Sequence, residues 1–297
     1  MERRPAPDRV LRTAGGRLLL GWRLALFLVL TISAWGVLGS VLPRGPLTGS
    51  IALLLGALVA GLSLLALDGR PSGALGFYAR PRAVAEAALG TVLGAGVALA
   101  VVAAIALSGG LRWTAQDGSA TAWLLGSLGA LAFLALPAAA EEAVFRGYAF
   151  QALTEAWGPG ASLAASAILF GALHQSNPAV TALGTLNVMA AGAFLGIVYL
   201  RTGSLWWATG VHLGWNWAHG YLADVPLSGL ELLDAPLYEG VMGGPDWLGG
   251  GGFGPEGSLI ATAVVVGASV WSWRTKWLRP SEAAIGARPL ALIAGRD

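Results

Sequence analysis

The chain has 297 residues, of which 56% are hydrophobic and 11% are charged, and its mean hydropathy is +0.67. This composition excludes an ordinary soluble domain and is typical of a polytopic membrane protein. The chain contains no cysteine, which excludes a cysteine nucleophile, a thiolate metal site and disulfide bonds.

Eight apolar stretches are long enough to be membrane helices, because about 20 apolar residues cross a bilayer core of roughly 30 Å. In chain order they span 24–42, 48–67, 85–108, 121–150, 159–175, 179–200, 204–222 and 258–273. Each is expected to be helical, since lipid satisfies no backbone polar groups. The sequence therefore predicts an all-α, polytopic transmembrane helical bundle of about eight spans. This membrane domain, 24–279, is expected between a basic segment, 1–23, and a short tail, 280–297.

Basic residues are expected to mark the cytoplasmic side of the bundle. With a cytoplasmic N-terminus, only Arg44 and Arg112 fall on the outer side, apart from Arg146 within a motif. The other basic residues then face the cytoplasm: Arg3, Arg4, Arg9, Arg12, Arg17, Arg23, Arg70, Arg80, Arg82, Arg201, Arg274, Lys276, Arg279, Arg288 and Arg296. The outer segment 223–257 carries six acidic residues and no Lys or Arg. Both termini are therefore predicted to be cytoplasmic, and the pI of about 9.3 indicates contact with anionic lipid at that face rather than with nucleic acid.

A first polar cluster, at 141–146, interrupts the fourth stretch. Ionisable side chains cost roughly 2.5–3.5 kcal/mol each inside a membrane span, so they usually serve a function. Glu142 and Arg146 are four residues apart, so they share a helix face and can neutralise one another. Glu141 points about 100° away and is then free for chemistry. The alternative is that both glutamates only complete a buried ion network, although one arginine balances one carboxylate.

A second cluster lies at the end of the fifth stretch. Phe170 and His174 share a helix face, and Asn177-Pro178 then breaks the helix. His174 is therefore expected at a helix end facing a cavity. The alternative is a hydrogen-bonded packing histidine without a chemical role.

A third cluster lies in the seventh stretch. His212 and Asn216 are four residues apart, so both can present hydrogen-bonding groups to one point. His219 falls about 20° from the same line. It could reach the cavity, but the interpretation favoured here places it at the outer membrane boundary.

Together these clusters resemble the three motifs of the CAAX protease and bacteriocin-processing (CPBP, or Abi) family. The matching sequences are Glu-Glu-x-x-x-Arg-Gly at 141–147, Phe-x-x-x-His at 170–174 and His-x-x-x-Asn at 212–216. The order and spacing also match, and the similarity covers about 121–222. The resemblance implies a protease-like core over that range and an intramembrane endopeptidase, or hydrolase, carrying the family's metalloprotease label.

The roles implied by this resemblance transfer residue by residue. Glu141 would be the general base that activates a water, and His174 would hold that water or share its proton. His212 and Asn216 would polarise the scissile carbonyl and stabilise the oxyanion. Glu142 and Arg146 would be supporting residues that position the site.

A metal is a separate question, because Glu141, His174 and His212 are also a plausible zinc set. No His-Glu-x-x-His sequence is present, since Gln175 follows His174. Metal-free Glu/His catalysis is therefore favoured here, with zinc as the alternative and no other cofactor indicated.

Two other classes of function fit an intramembrane set of carboxylates and histidines. One is a proton-coupled transporter, which the lack of matching half-repeats disfavours. The other is a non-catalytic, immunity-type membrane protein, which would have no need for Asn216 or an unpaired Glu141. For the protease, the expected substrate is a membrane-associated protein or peptide, and the expected location is a bacterial plasma membrane.

Depth along the helices can be estimated at about 1.5 Å per residue. His212 and Glu141 come out about 12 and 14 Å from the cytoplasmic ends of their spans, whereas His174 comes out about 22 Å from its own. This mismatch requires a tilted or late-starting fifth span. We expect a cavity in the inner half of the bilayer that opens to the cytoplasm.

Overall fold

The computed structural model describes residues 11–13 and 16–289. The predictions for Arg3, Arg4, Arg9 and Arg296 fall outside this part of the chain, as do most of the basic segment and the end of the tail. Within it, the chain is dominated by helices and contains a single small sheet of two strands. The predicted all-α, polytopic class is confirmed.

Ten α-helices are present in the described chain. They are α1 (Leu20–Val41), α2 (Thr48–Leu67), α3 (Pro81–Leu107), α4 (Ala120–Phe145), α5 (Tyr148–Leu173), α6 (Ala182–Thr202), α7 (Leu205–Trp217), α8 (Asp246–Gly249), α9 (Leu259–Arg274) and α10 (Glu282–Ala287). Each of the eight predicted stretches overlaps a helix, although 121–150 is divided between α4 and the start of α5. Helices α8 and α10 are short additions outside those stretches.

Five helical segments of the described chain are long and apolar enough to cross a membrane. They are α1, α2, α3, the segment 120–176, which contains both α4 and α5, and α6. The remaining apolar helices are shorter: α9 has 16 residues, and α7 has 13 before it continues into a π-helical turn at Ala218–Leu222.

The helix that carries the first motif differs from its prediction. The stretch 121–150 was expected to be one span, but α4 ends at Phe145 and α5 begins at Tyr148. The break falls at Gly147, where a Cβ atom would lie 2.1 Å from the carbonyl oxygen of Ala143. Only glycine permits this close approach of two backbone segments.

A reversal within α5 explains the mismatch in depth. Gly158 has a φ of 80°, and Thr154 Oγ1 lies 2.8 Å from Ser162 Oγ across this point. Residues eight apart in a straight helix would be about 12 Å apart, so the chain turns back here. The segment that carries the first motif therefore includes α4 and the first part of α5 and ends at Gly158. Glu141 then lies about 24 Å from this turn. That distance agrees with the estimate for His174 of about 22 Å, and no tilted fifth span is needed.

The two ends of the bundle differ in charge. The basic end comprises the connections 68–80 and 203–204, the segment 275–289 and the adjoining ends of the helices. Its basic residues in the described chain include Arg17, Arg23, Arg70, Arg80, Arg82, Arg201, Arg274, Lys276, Arg279 and Arg288. The acidic end comprises the connections 42–47, 108–119 and 174–181 together with residues 223–257. Residues 223–257 alone are named the acidic cap. Strands β1 (Leu111–Ala115) and β2 (Tyr238–Met242) pair antiparallel there, with Leu111 opposite Met242. This pairing holds the acidic cap against the connection that precedes α4.

A buried ion network joins α1, α2 and α5 at the basic end. Arg23 lies with Nη2 3.1 Å from Asp68 Oδ2 and with Nη1 2.9 Å from Glu155 Oε2. The Nε atom of Arg23 donates to Tyr148 Oη at 2.7 Å, and that hydroxyl donates to Asp68 at 2.8 Å. One arginine thus connects three helices.

Replacing Arg23 by leucine should destabilise the fold by about 1.5–3 kcal/mol, the usual worth of hydrogen bonds to charged groups. The reason is that Asp68, whose side chain is 4% exposed, would keep only its bond from Tyr148 and a longer pair with Arg17, whose Nη2 lies 3.5 Å from Asp68 Oδ2. Thermal unfolding of the detergent-purified chain measures this loss. Arg17→Leu is the matched control, because the Arg17 side chain is 37% exposed and its pairs are worth about 0–1 kcal/mol. Equal losses in the two variants would contradict the role given to burial.

Candidate active site

A cavity of about 260 Å³ lies among α4, α5, α6 and α7. Glu141, His174, His212 and Asn216, the four residues singled out from the sequence, all line it. Glu141 comes from α4, His174 follows the last residue of α5, and the other two come from α7. Three motifs spread over 76 residues of sequence are therefore brought to one space.

Glu141 offers a hydrogen-bond acceptor to this cavity. Its Oε2 atom is buried and has no hydrogen-bond partner within the described chain. The nearest ionisable neighbour is His212, whose Nε2 lies 3.8 Å from that oxygen. A carboxylate oxygen lacking a protein partner, in a cavity that also contains two histidines and an amide, can bind and orient a water molecule.

Glu142 and Arg146 form the pair predicted from their spacing. Arg146 Nη1 donates to Glu142 Oε1 at 2.9 Å, and both side chains are fully buried. The Nη2 atom of Arg146 donates to the carbonyl oxygen of Gly192 on α6 at 2.7 Å. The pair therefore joins α4 to α6 behind the cavity wall.

His212 connects this pair to Glu141. Its Nδ1 lies 3.0 Å from Glu142 Oε1, and an ionised carboxylate can only accept, so Nδ1 carries a proton. The ring is thereby oriented with Nε2 toward Glu141. The ion network behind the wall thus fixes both the tautomer and the direction of the imidazole that lines the cavity.

His174 is fixed in a similar way by its own helix. Its Nδ1 donates to the carbonyl oxygen of Phe170 at 2.7 Å, and a carbonyl can only accept, so Nε2 of the neutral ring is an acceptor. The Phe170 ring packs against the imidazoles of His174, at 4.6 Å, and His212, at 6.0 Å between centroids. It also lies under the Arg146 guanidinium at 4.8 Å. Phe170 therefore spaces the two histidines and covers the buried cation.

Asn216 stands one helical turn after His212 on the cavity face of α7. Its side chain makes no hydrogen bond with any residue in 11–13 or 16–289. An unengaged amide next to an oriented imidazole leaves an N–H donor available to a ligand in the cavity.

Glu256 is a cavity residue that the sequence did not reveal. Its Oε1 accepts from Trp215 Nε1 at 2.7 Å and its Oε2 accepts from Ser228 Oγ at 2.5 Å. Its carbonyl oxygen accepts from Asn187 Nδ2 at 2.8 Å. The residue therefore ties the acidic cap to α7 and α6 at the cavity wall. It has no motif neighbour and no helical spacing to the other site residues, so only its acidic character in an otherwise apolar and glycine-rich segment could have drawn notice.

His219 does not line the cavity, which was the alternative interpretation of its spacing. It is fully buried in the π-helical turn after α7, and its place at the outer membrane boundary stays a prediction. Its ring packs edge-on against Trp215, with centroids 4.6 Å apart. The π turn changes the register of the helix, so the seven-residue spacing from His212 no longer places the two on one line.

The cavity lies at the opposite end of the bundle from the one expected. Besides the motif residues it is lined by Leu47, Asn177, Ser228 and Glu256, all from connections of the acidic end. No residue of the basic-end connections lines it. The two predictions therefore conflict: if the basic end faces the cytoplasm, as the charges predict, a cavity at the acidic end opens to the other side. The physical reason is that α4, α5 and α7 carry their motifs well away from the basic end, and the acidic cap folds over that region.

A zinc site does not assemble from the expected ligands. Among the residues described, no group of three or more histidine, aspartate or glutamate side chains is placed to hold a metal ion. In particular, Nδ1 of His174 and of His212 is already engaged by Phe170 and Glu142. The choice between metal-free and zinc-dependent catalysis stays a prediction.

Residues 121–218 match the family model described as Type II CAAX prenyl endopeptidase Rce1-like. The matched range contains the three motifs and agrees with the resemblance drawn from them. No curated protein and no solved structure gave a significant match. The apolar helices together with this match indicate an integral membrane protein, and the similarity to a protease family is limited to residues 121–218.

Proposed function

We propose, from the premise that residues 121–218 belong to the Rce1-like CAAX prenyl endopeptidases, that this chain is an intramembrane endopeptidase of the CPBP family. It would hydrolyse a peptide bond in a membrane-associated protein or peptide, and we place it in a bacterial plasma membrane. One observation carries the proposal: a buried, unpartnered carboxylate oxygen of Glu141 faces a cavity that is also lined by two oriented histidines and a free amide.

The first step is the attack of water. Glu141 takes a proton from a water molecule as the water oxygen bonds to the carbonyl carbon of the substrate. His174 holds that water through Nε2, the nitrogen left free by the bond to Phe170. Two acceptors directed at one water orient its remaining lone pair toward the carbonyl.

The carbonyl oxygen becomes negative in this step and needs donors. Asn216 supplies its amide N–H, and His212 supplies Nε2–H when its ring is the imidazolium. Nδ1 of that ring continues to donate to Glu142 in this form. Removing one such donor typically costs about 2.7–4 kcal/mol of barrier.

The second step is the loss of the amine. The oxyanion collapses, the carbon–nitrogen bond breaks, and Glu141 returns its proton to the leaving nitrogen. The products are a new carboxyl terminus and a new amine. No covalent intermediate with the protein is required, which agrees with the absence of cysteine and of a serine among the motif residues.

The walls of the site strengthen these interactions. Phe170, Phe194 and Leu195 line the cavity, and apolar side chains lower the local dielectric constant. Glu142 and Arg146 neutralise one another behind the wall, so they orient His212 without adding net charge to the cavity. In this scheme they are positioning residues.

The test is peptide-bond hydrolysis by the full-length chain, purified and reconstituted in liposomes. Wild-type protein incubated with a membrane-protein extract should generate new peptide termini detectable by mass spectrometry. His174→Ala should generate none of them, because the attacking water loses one of its two acceptors. The same termini from both proteins, or no new termini from either, would overturn the proposal. If no cleavage occurs and the liposomes instead show proton flux that requires Glu141, the result would support a transporter.

A further inference from the structure

We infer that the substrate enters the cavity from the acidic end of the bundle. The positive-inside rule places that end outside the cytoplasm. The substrate class is then a peptide segment exposed on the non-cytoplasmic face, such as part of an exported peptide or an outer loop of a membrane protein. This inference rests on the proposed function and adds the direction of approach.

The assignment of the two ends follows from contacts between helix termini. At the basic end, Arg201 near the end of α6 donates to the carbonyl oxygen of Thr275, the residue after α9. Arg23 at the start of α1 pairs with Asp68, the residue after α2. These contacts group the basic connections on one side of the bundle.

Contacts at the acidic end likewise group the connections of that end together. Asn177, which follows α5, donates through Nδ2 to the carbonyl oxygen of Ser228 at 3.0 Å. Trp113 of β1 donates through Nε1 to the carbonyl oxygen of Ala223 at 2.8 Å. The acidic cap is thus anchored to connections that all lie opposite the basic loops.

The cavity is lined by residues of these acidic-end connections. Pro46, Leu47 and Ser50 line it from the α1–α2 connection and the start of α2. Leu230 and Leu232 line it from the acidic cap, and both are exposed. A peptide reaching Glu141 must therefore pass these residues rather than the basic loops.

Charge supports the same orientation without defining a binding site. The acidic cap has no Lys or Arg, whereas the basic end holds most of the basic residues of the chain. A bundle inserted the other way would put this basic excess outside, against the positive-inside rule. The position of the cavity and the orientation of the chain together indicate that the substrate enters from the non-cytoplasmic side.

Site-specific labelling tests the orientation directly, because the chain has no cysteine and any introduced thiol is unique. In intact cells, a membrane-impermeant maleimide should label Leu230→Cys in the acidic cap. It should label Ser72→Cys, exposed in the basic-end connection, only after the membrane is permeabilised. The reverse pattern would overturn the inference, and it would do so whether or not the protein is a protease.

Blocking the entrance tests the route. A bulky maleimide on Leu230→Cys should remove most of the cleavage activity. Asp117→Cys, which is exposed at the same end but does not line the cavity, should be labelled to the same extent and keep its activity. Full activity of the blocked Leu230→Cys protein would overturn the entry route, while cleavage itself would still support the proposed function. If labelling follows the expected pattern but the chain cleaves nothing, the proposed function is contradicted and the orientation is still supported.

Discussion

Replacing Glu141 by glutamine should slow peptide cleavage by about 10²–10⁴-fold, the usual contribution of a general base. Glutamine keeps the size of the side chain but cannot take the proton of the attacking water. The loss should appear in kcat more than in KM, since the removed interaction is made in the transition state. The measurement is the initial cleavage rate of the reconstituted chain on one defined peptide identified from its own products.

The fold of the variant should be unaffected. Glu141 Oε2 has no protein hydrogen bond to lose within the described residues, so the thermal unfolding temperature should stay close to that of the wild type. Glu231→Gln is a matched control, because it makes the same chemical change on an exposed residue of the acidic cap. A Glu141→Gln protein that cleaves at the rate of this control would show that another group activates the water.

The helices were the most predictable part of the molecule. Apolar runs of about 20 residues and the lack of backbone partners in lipid define membrane helices locally, so each predicted stretch found its helix. The ends were harder, because they depend on single residues. At Gly147, where α4 has ended, a Cβ atom would collide with the carbonyl oxygen of Ala143, and at Gly158 a positive φ reverses α5. Hydropathy reports neither feature.

The site was predictable where its geometry is local. Glu142 with Arg146 and His212 with Asn216 are four residues apart, so helical periodicity alone puts each pair on one face. That the separate helices converge on one cavity came from the family resemblance and not from periodicity. Glu256 was missed because its contacts with Trp215 and Asn187 join distant parts of the chain through an irregular segment.

The position of the cavity at the acidic end was missed for a related reason. The depth estimate assumed that Glu141 lies near the cytoplasmic end of a span closing at Phe150, but that segment runs on to the turn at Gly158. Charge patterns orient a membrane protein, and they carry no information on which end of the bundle is open. That property depends on how the acidic cap folds over α7.

Replacing Arg146 by methionine should destabilise the fold by about 3–5 kcal/mol, the usual cost of breaking a buried ion pair by removing one partner. Glu142 is 0% exposed and would keep only His212 as a partner, and Gly192 would lose its donor on α6. Unfolding of the purified chain in detergent, followed by temperature or denaturant, measures the loss. Arg112→Met, an exposed arginine of β1 that forms no ion pair with the described residues, should change stability little.

The double variant Glu142→Gln with Arg146→Met separates folding from function. Removing both charges should recover most of the lost stability, because replacing a buried ion pair by neutral side chains is often close to neutral. Cleavage should stay slow, since the charged acceptor that orients His212 is gone. A double variant as unstable as Arg146→Met would contradict the account of the pair. One that is stable and fully active would show that Glu142 and Arg146 hold α4 to α6 and do not position the imidazole.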